Sequence, residues 1–174
     1  MKTIQKPQSG ESAPYTEAYI ALVPDDGRVL HHLQDNVQTV KNFVRALPAS
    51  KLTTPHAVGE WTVQEILGHI MDTERIFGYR ALRIARNDPT ELSGFEQNDY
   101  VPYSGANART LVDIFAEYNA LRAATLTLFN SFDDAAWERA GKASGYPLTV
   151  RAAAYVIAGH ELHHLISMKE NYGP

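Results

Sequence analysis

His160 and His164 lie four residues apart in the stretch Ala158-Gly-His-Glu-Leu-His-His-Leu165. On an α-helix, at about 100° per residue, that spacing leaves the two rings about 40° apart around the axis and one turn apart in height. Imidazoles so placed can converge on one divalent ion, whose bonds to nitrogen of about 2.0–2.1 Å need both lone pairs aimed at one point. His163 lies about 60° from His160 and about 100° from His164, which suits it less. A further histidine, His69, sits on the shoulder of a second amphipathic stripe formed by Val63, Ile66, Ile70, Thr73, Phe77, Ala81 and Ile84. It therefore faces a seam between helices rather than open solvent. A lone histidine in such a place is most often structural, and an i,i+4 pair in an apolar helix is as often structural as ligating. Together they favour a metal site, because a bundle core brings side chains of different helices to one place. Residues 160–164 also spell H-E-x-x-H, the zinc-protease pattern. That reading is disfavoured, since only ten residues follow His164, Glu170 is the sole acid among them, and the mixed α+β setting of such proteases is missing.

Those rings need rigid helices to hold them, and four can be read along the chain. Residues 1–24 are rich in Pro, Ser, Gly and Thr, carry no helical period, and read as an extended lead-in with Tyr15, Tyr19, Ile20, Leu22 and Val23 free to pack. Residues 25–174 form the domain proper. After the turn at Pro24–Gly27, apolar residues from Val29 to Leu47 recur at three- and four-residue steps and end at Pro48, which predicts a first helix. Thr62 with Glu65 is a capping box opening the second helix, with Trp61 closing over Ile66, and Asp88-Pro89 stops it near Asn87. Residues 88–107 read as a long loop, a length that is often functional. Asn107 is predicted to cap a third helix with the stripe Leu111, Ile114/Phe115, Tyr118, Leu121, Thr125 and Leu128/Phe129. Asp133–Glu138 adds a helical turn, Gly141–Leu148 reads as a loop, and Thr149 caps a fourth helix reaching about Asn171. No strand is predicted. The fold expected is all-α, a four-helix bundle with long connecting loops and an extended N-terminal segment.

Composition narrows the setting. The chain has 174 residues, 44% hydrophobic and 21% charged, the balance of one globular domain. It has no cysteine, which excludes disulfides, zinc–thiolate sites, iron–sulfur clusters and a protein thiol nucleophile. The longest apolar run, Ala152–Ala158, is too short to cross a bilayer, and the N-terminus lacks the apolar stretch of a secretory signal. A cytoplasmic location and no membrane partner are therefore expected. Sixteen basic against twenty acidic residues give a net charge of −4, so no overall field draws the chain to nucleic acid. Arg75, Arg80, Arg83 and Arg86 read as the solvated side of a helix rather than a phosphate-binding patch.

The string Trp61-Thr-Val-Gln-Glu-Ile-Leu-Gly-His69-Ile-Met-Asp72-Thr-Glu74-Arg75-Ile-Phe77 resembles the second-helix signature of the DinB-like (YfiT-like) superfamily. Ala158-Gly159-His160-Glu161-Leu162-His163-His164-Leu165 resembles its C-terminal histidine motif, and the likeness spans roughly residues 15–172. The resemblance implies a bacterial protein with a four-helix bundle, two connections running along it, and a divalent metal held by His69, His160 and His164. Zn and Ni are the ions expected. Members of the family include thiol S-transferases, a thiol-dependent isomerase and proteins described as metal-dependent hydrolases, and they often form homodimers.

Three neutral imidazoles would leave such an ion its full charge and an open position. Water or a thiol bound there becomes a nucleophile near neutral pH, so hydrolysis and thiol transfer are both open. Without cysteine in the chain, any thiol must come from a small-molecule cosubstrate. Glu65 and Asp72 lie about 40° and about 60° from His69 and are the acid–base candidates, set against a capping role for Glu65 and a surface ion pair for Asp72. Glu161 is predicted to point away from the metal. Arg80, about 20° from His69, meets either an anionic substrate group or a surface partner, the latter favoured. Asp99, Tyr100 and Tyr103 in the long loop are candidates for a pocket mouth, while His31, His32 and His56 read as surface residues. The function expected is a metal-dependent hydrolase or thiol S-transferase acting on a small molecule. A metal-stabilised bundle that binds a ligand or partner without turnover is the alternative.

Overall fold

The second long helix begins where its capping box places it. In the computed structural model, which describes residues 2–173, Thr62 Oγ1 accepts from the Glu65 backbone N–H (3.2 Å) and Glu65 Oε2 accepts from the Thr62 N–H (2.8 Å). Each bond satisfies a donor that the first helical turn leaves free. In chain order the elements are α1 (Glu17–Ala21), α2 (Val29–Ala46), α3 (Val63–Ala85), α4 (Gln97–Tyr100), α5 (Leu111–Asn130), α6 (Asp134–Glu138), β1 (Ala140–Ala143), β2 (Tyr146–Thr149) and α7 (Val150–Tyr172). The four long helices α2, α3, α5 and α7 make the bundle. Its main contacts pair α2 with α5 and α7, and α3 with the same two. Consecutive helices α2 and α3 thus occupy opposite corners, an order that only long connections permit.

Two apolar clusters fill the bundle. One gathers Leu30, Leu33, Phe77, Ile84, Phe129, Phe132, Trp137 and the first half of α7. The other gathers Val40, Val44, Leu67, Ile70, Ile114, Tyr118, Leu165 and Met168. Between them runs a polar layer to which all four long helices contribute. Among the described residues no helix is long and apolar enough to cross a membrane.

Three local expectations are corrected. The lead-in is not extended throughout: a 3-10 turn at Pro14–Thr16 runs into α1. Pro14 stands at the start of that turn, where its missing N–H costs nothing. Ile20 and Val23 are buried, and α1 packs on α7. That approach is so close that a Cβ on Gly159 would lie 2.0 Å from the Tyr19 carbonyl oxygen. The second correction is at Gly141–Leu148, which belongs to an antiparallel hairpin pairing Ala140 with Thr149 and Ala143 with Tyr146. Ser144 and Gly145 both have positive φ (54° and 83°), the turn that matches strand twist and that glycine makes cheap. The third concerns the α5 cap, which is Thr110 and not Asn107: Thr110 Oγ1 accepts from the Asp113 N–H (3.2 Å). Asn107 falls in a 3-10 turn one step earlier and accepts from Thr62 Oγ1 (2.7 Å).

Candidate metal centre

α3 supplies His69 and α7 supplies His160 and His164. His160 Nε2 lies 2.9 Å from His69 Nε2 and 3.0 Å from His164 Nε2. The three rings are mutually edge-on, with centroids 4.5–4.9 Å apart. Trp61 packs against His69 (4.9 Å) and Tyr19 of α1 against the edge of His160 (5.4 Å). His69 and His160 are buried and His164 is half-buried. Burial, reinforced by the neighbouring rings, disfavours the protonated forms. It pulls His69 down to about 4, with His163 adding to the effect, and His164 to about 3, with His69 and His163 adding to it. His160 is pushed well below the usual imidazole value by burial and by His164, His69 and His163.

A neutral imidazole nitrogen carries one proton or one lone pair, never both. His160 Nε2 therefore cannot hydrogen-bond fully to two neighbouring ring nitrogens, and three neutral rings facing one another suit a shared cation. The donor set, three imidazole nitrogens, is one that divalent transition metals accept. His163 is exposed and packs tilted against Tyr19 (5.0 Å) and edge-on against His164 (5.1 Å), outside the trio.

His69 and His160 open into a cavity of about 310 Å³, at the small end of the usual range for ligand pockets. Tyr15, Tyr19, Phe77, Phe95, Thr73 and Arg80 form much of its wall. Arg80 is a correction: it is 3% exposed, not on the solvated side of α3, and among the described residues it forms no ion pair. Its Nη2 donates to the Ser93 carbonyl and to Ser144 Oγ, both at 2.9 Å. His164 opens on another side, toward His56, Trp61 and Tyr172.

The acid–base candidates stand elsewhere. Glu65 is held by the capping box. Asp72 lines a separate cleft with Asp99, Tyr100 and Tyr103 and lies 3.7 Å from Arg75 Nη1. Burial raises its pKa against the pull of Arg75. Among the described residues no carboxylate hydrogen-bonds to any ring of the trio, so neither Glu65 nor Asp72 orients an imidazole. The loop over the cavity is represented by Phe95 and Gln97, not by Asp99, Tyr100 and Tyr103. His32 pairs with Asp26 (3.0 Å) and His56 meets Tyr172 edge to face (5.2 Å).

Glu161 points away from the trio, as predicted, into a buried cluster that sequence reasoning missed. Arg122 of α5 donates from Nε to Glu74 Oε1 (3.0 Å) and from Nη2 to Glu74 Oε2 (2.9 Å) and Glu161 Oε1 (3.0 Å). Its Nη1 donates to the Leu33 carbonyl, and Tyr118 donates to Glu161 Oε1. Burial raises the Glu161 carboxyl despite Arg122. Thr73 and Arg80 on the cavity wall were legible in part: His69, Thr73 and Arg80 at i, i+4 and i+11 share one face of α3.

Comparison with known proteins places this fold. Among curated proteins none matches the sequence. YfiT from Bacillus subtilis, described as a probable metal-dependent hydrolase with an unusual four-helix bundle topology, is 18% identical and superposes with a TM-score of 0.74 over 96% of this chain and 91% of its own. A mycothiol-dependent maleylpyruvate isomerase is 11% identical, with a TM-score of 0.67 over 88% of this chain. This chain spans 62% of that isomerase's length. At such identities the likeness establishes a shared fold. The model of the DinB superfamily matches residues 32–168, well over half the sequence. The chain therefore belongs to the DinB superfamily.

Proposed function

We propose that this protein is a metal-dependent enzyme in which His69, His160 and His164 hold a divalent ion, Zn or Ni, beside a small-molecule cavity. The observation that carries the reading is the convergence of three neutral Nε2 atoms, 2.9 and 3.0 Å apart, two of whose rings, His69 and His160, line a small-molecule cavity. When bound, the ion supplies a Lewis-acid centre that brings the pKa of water or of a thiol into the neutral range. The chain's own residues set the conditions. Trp61 and Tyr19 pack against two of the rings and fix their orientation. Phe77, Phe95 and Tyr15 give the space in front of them aromatic walls.

With no cysteine available, a thiol nucleophile would have to enter as cosubstrate, so hydrolysis and thiol S-transfer remain the two activities that fit. The likeness to a protein described as a probable metal-dependent hydrolase and to a mycothiol-dependent isomerase supports the pair. A purely structural metal is disfavoured by the cavity at His69 and His160, where a closed fourth position would be expected instead. The test is metal analysis of the purified protein, His69→Ala and His160→Ala, followed by turnover of an electrophile panel with and without small thiols. About one divalent ion per chain, lost in both variants, with metal-dependent turnover, is expected. Full metal retention in both variants refutes the ligand set; metal without any turnover refutes the enzyme.

A further inference from the structure

The cavity in front of the histidines contains a buried cation with no anion. Arg80 is 3% exposed, and among the described residues no carboxylate pairs with it. Its guanidinium carbon lies 4.9 Å from the centre of the Phe77 ring and 6.0 Å from that of Phe95. Nη2 spends its two protons on the Ser93 carbonyl and Ser144 Oγ. Among the described residues the Nε–H and both Nη1–H groups have no acceptor, so the guanidinium keeps charged donors free for a carboxylate oxygen. A second observation is independent of the first: Thr73 Oγ1, on the same cavity wall between His69 and Arg80, is buried without a hydrogen-bond partner. Native proteins rarely leave such groups unpaired unless something else completes them.

We propose that Arg80 and Thr73 form the carboxylate anchor of the substrate site. The cavity takes a small organic acid whose carboxylate accepts from a free guanidinium N–H of Arg80 and from the Thr73 hydroxyl. Its uncharged body lies among Tyr15, Tyr19, Phe77 and Phe95, and its far end meets His69 and His160. A single cation among aromatic walls matches a monoanion better than a phosphate dianion. Arg80 is eleven residues from His69, about 16 Å of helix rise, which the backward lean of the arginine side chain shortens to on the order of 10 Å. A ligand the length of an arylpropionate spans that gap. The far-end placement rests on the metal-centre reading; the anchor does not.

Calorimetric titration of the metal-loaded full chain with 3-phenylpropionate and with its neutral amide tests this. The acid is expected to bind at least about tenfold more tightly than the amide. Arg80→Met abolishes that preference while circular dichroism and metal content stay unchanged, Arg80→Lys keeps part of it, and Thr73→Val weakens the acid alone. The preference also survives in His160→Ala, which separates the anchor from the metal. Equal binding of acid and amide, no binding of either at millimolar concentration, or a preference retained in Arg80→Met overturns the anchor. So does a preference lost in His160→Ala but kept in Arg80→Met, which would assign the carboxylate to the metal. A wild-type protein without metal that still prefers the acid overturns the proposed function and leaves the anchor standing.

Discussion

Arg122→Met isolates the interaction that fixes the bundle's polar layer. The Arg122 side chain is 3% exposed and those of Glu74 and Glu161 are 1% exposed, so the variant leaves two carboxyl groups in the interior with no cation. At an effective dielectric of about 20 and a charge separation of about 4 Å, one guanidinium–carboxylate attraction is worth roughly 4 kcal/mol. Measured losses from breaking buried pairs fall at about 3–5 kcal/mol. Against a total stability of about 5–15 kcal/mol that is a large share, and for a chain of this size it lowers the melting temperature by about 6–20 °C. Burial works against the Arg122 charge, but Glu161 and Glu74 outweigh it and hold the guanidinium well above its ordinary pKa, so the cation is intact at every workable pH. The assay is urea unfolding at neutral pH for Arg122→Met and for the triple variant Glu74→Gln/Arg122→Met/Glu161→Gln. Neutralising the carboxyl groups should recover at least half of the loss, because the penalty lies in the orphaned acids. A loss under about 1 kcal/mol in the single variant, or a triple variant less stable than the single, would refute the argument.

Four further outcomes follow. Gly159→Ala puts a methyl group 2.0 Å from the Tyr19 carbonyl; it should cost about 1–3 kcal/mol and raise hydrogen exchange in residues 15–23. Gly78→Ala, whose Cβ meets nothing within 4 Å in the interior of α3, should instead stabilise by about 0.5–1 kcal/mol. Burial, with Asp25 and Asp26 adding to it, raises the Tyr155 phenol from 10.0 to about 12, and its hydroxyl donates to the Ile4 carbonyl (2.9 Å). Since the folded pKa exceeds the unfolded one, the stability it contributes is complete below pH 10 and is lost as pH rises toward 12. Tyr155→Phe should flatten unfolding midpoints over that window, and phenolate absorbance at 295 nm should show one late-titrating tyrosine fewer than in the wild type, with buried Tyr118 late in both. Chelation should lower the melting temperature of the wild type and leave His160→Ala unmoved; at a free metal concentration of 100 times Kd the difference corresponds to about 2.7 kcal/mol.

The long helices were legible because their signals are local. The capping box at Thr62 and Glu65, the cap at Thr149 and the apolar periods of α2, α3 and α5 each constrain neighbouring residues only. The histidine trio was legible for a related reason: His160 and His164 share one helical row, and His69 stands on a shoulder that has to face another helix. What escaped depended on partners far along the chain. The Ser144-Gly145 turn is a weak local cue, and the hairpin it closes also bridges to Leu92 of the long loop. Arg80 was assigned to solvent because its charge outweighed its position; only the coordinates bring Ser93 and Ser144 over it. Glu74, Arg122 and Glu161 come from three helices, and no spacing rule links them.

The two polar sites are one construction. Successive residues on a helix point about 100° apart, so neighbouring positions on α3 and α7 can serve different partners at one level of the bundle. On α3, Thr73 faces the cavity while Glu74 meets Arg122. On α7, His160 faces the cavity while Glu161 meets the same guanidinium. Arg122 therefore ties α3 to α7 from behind, one residue away from the groups that face the cavity. A register slip of one residue between these helices, about 1.5 Å of rise, would break the Glu74–Arg122–Glu161 pairing and separate His69 from His160 together. The trio needs its nitrogens within about 3 Å of one another, and apolar packing alone specifies helix register less sharply than directional ion pairs. On this argument Arg122→Met should weaken metal retention as well as stability, although Arg122 touches no histidine. The triple variant, which restores neutrality without the ion pairs, should regain stability more completely than it regains metal.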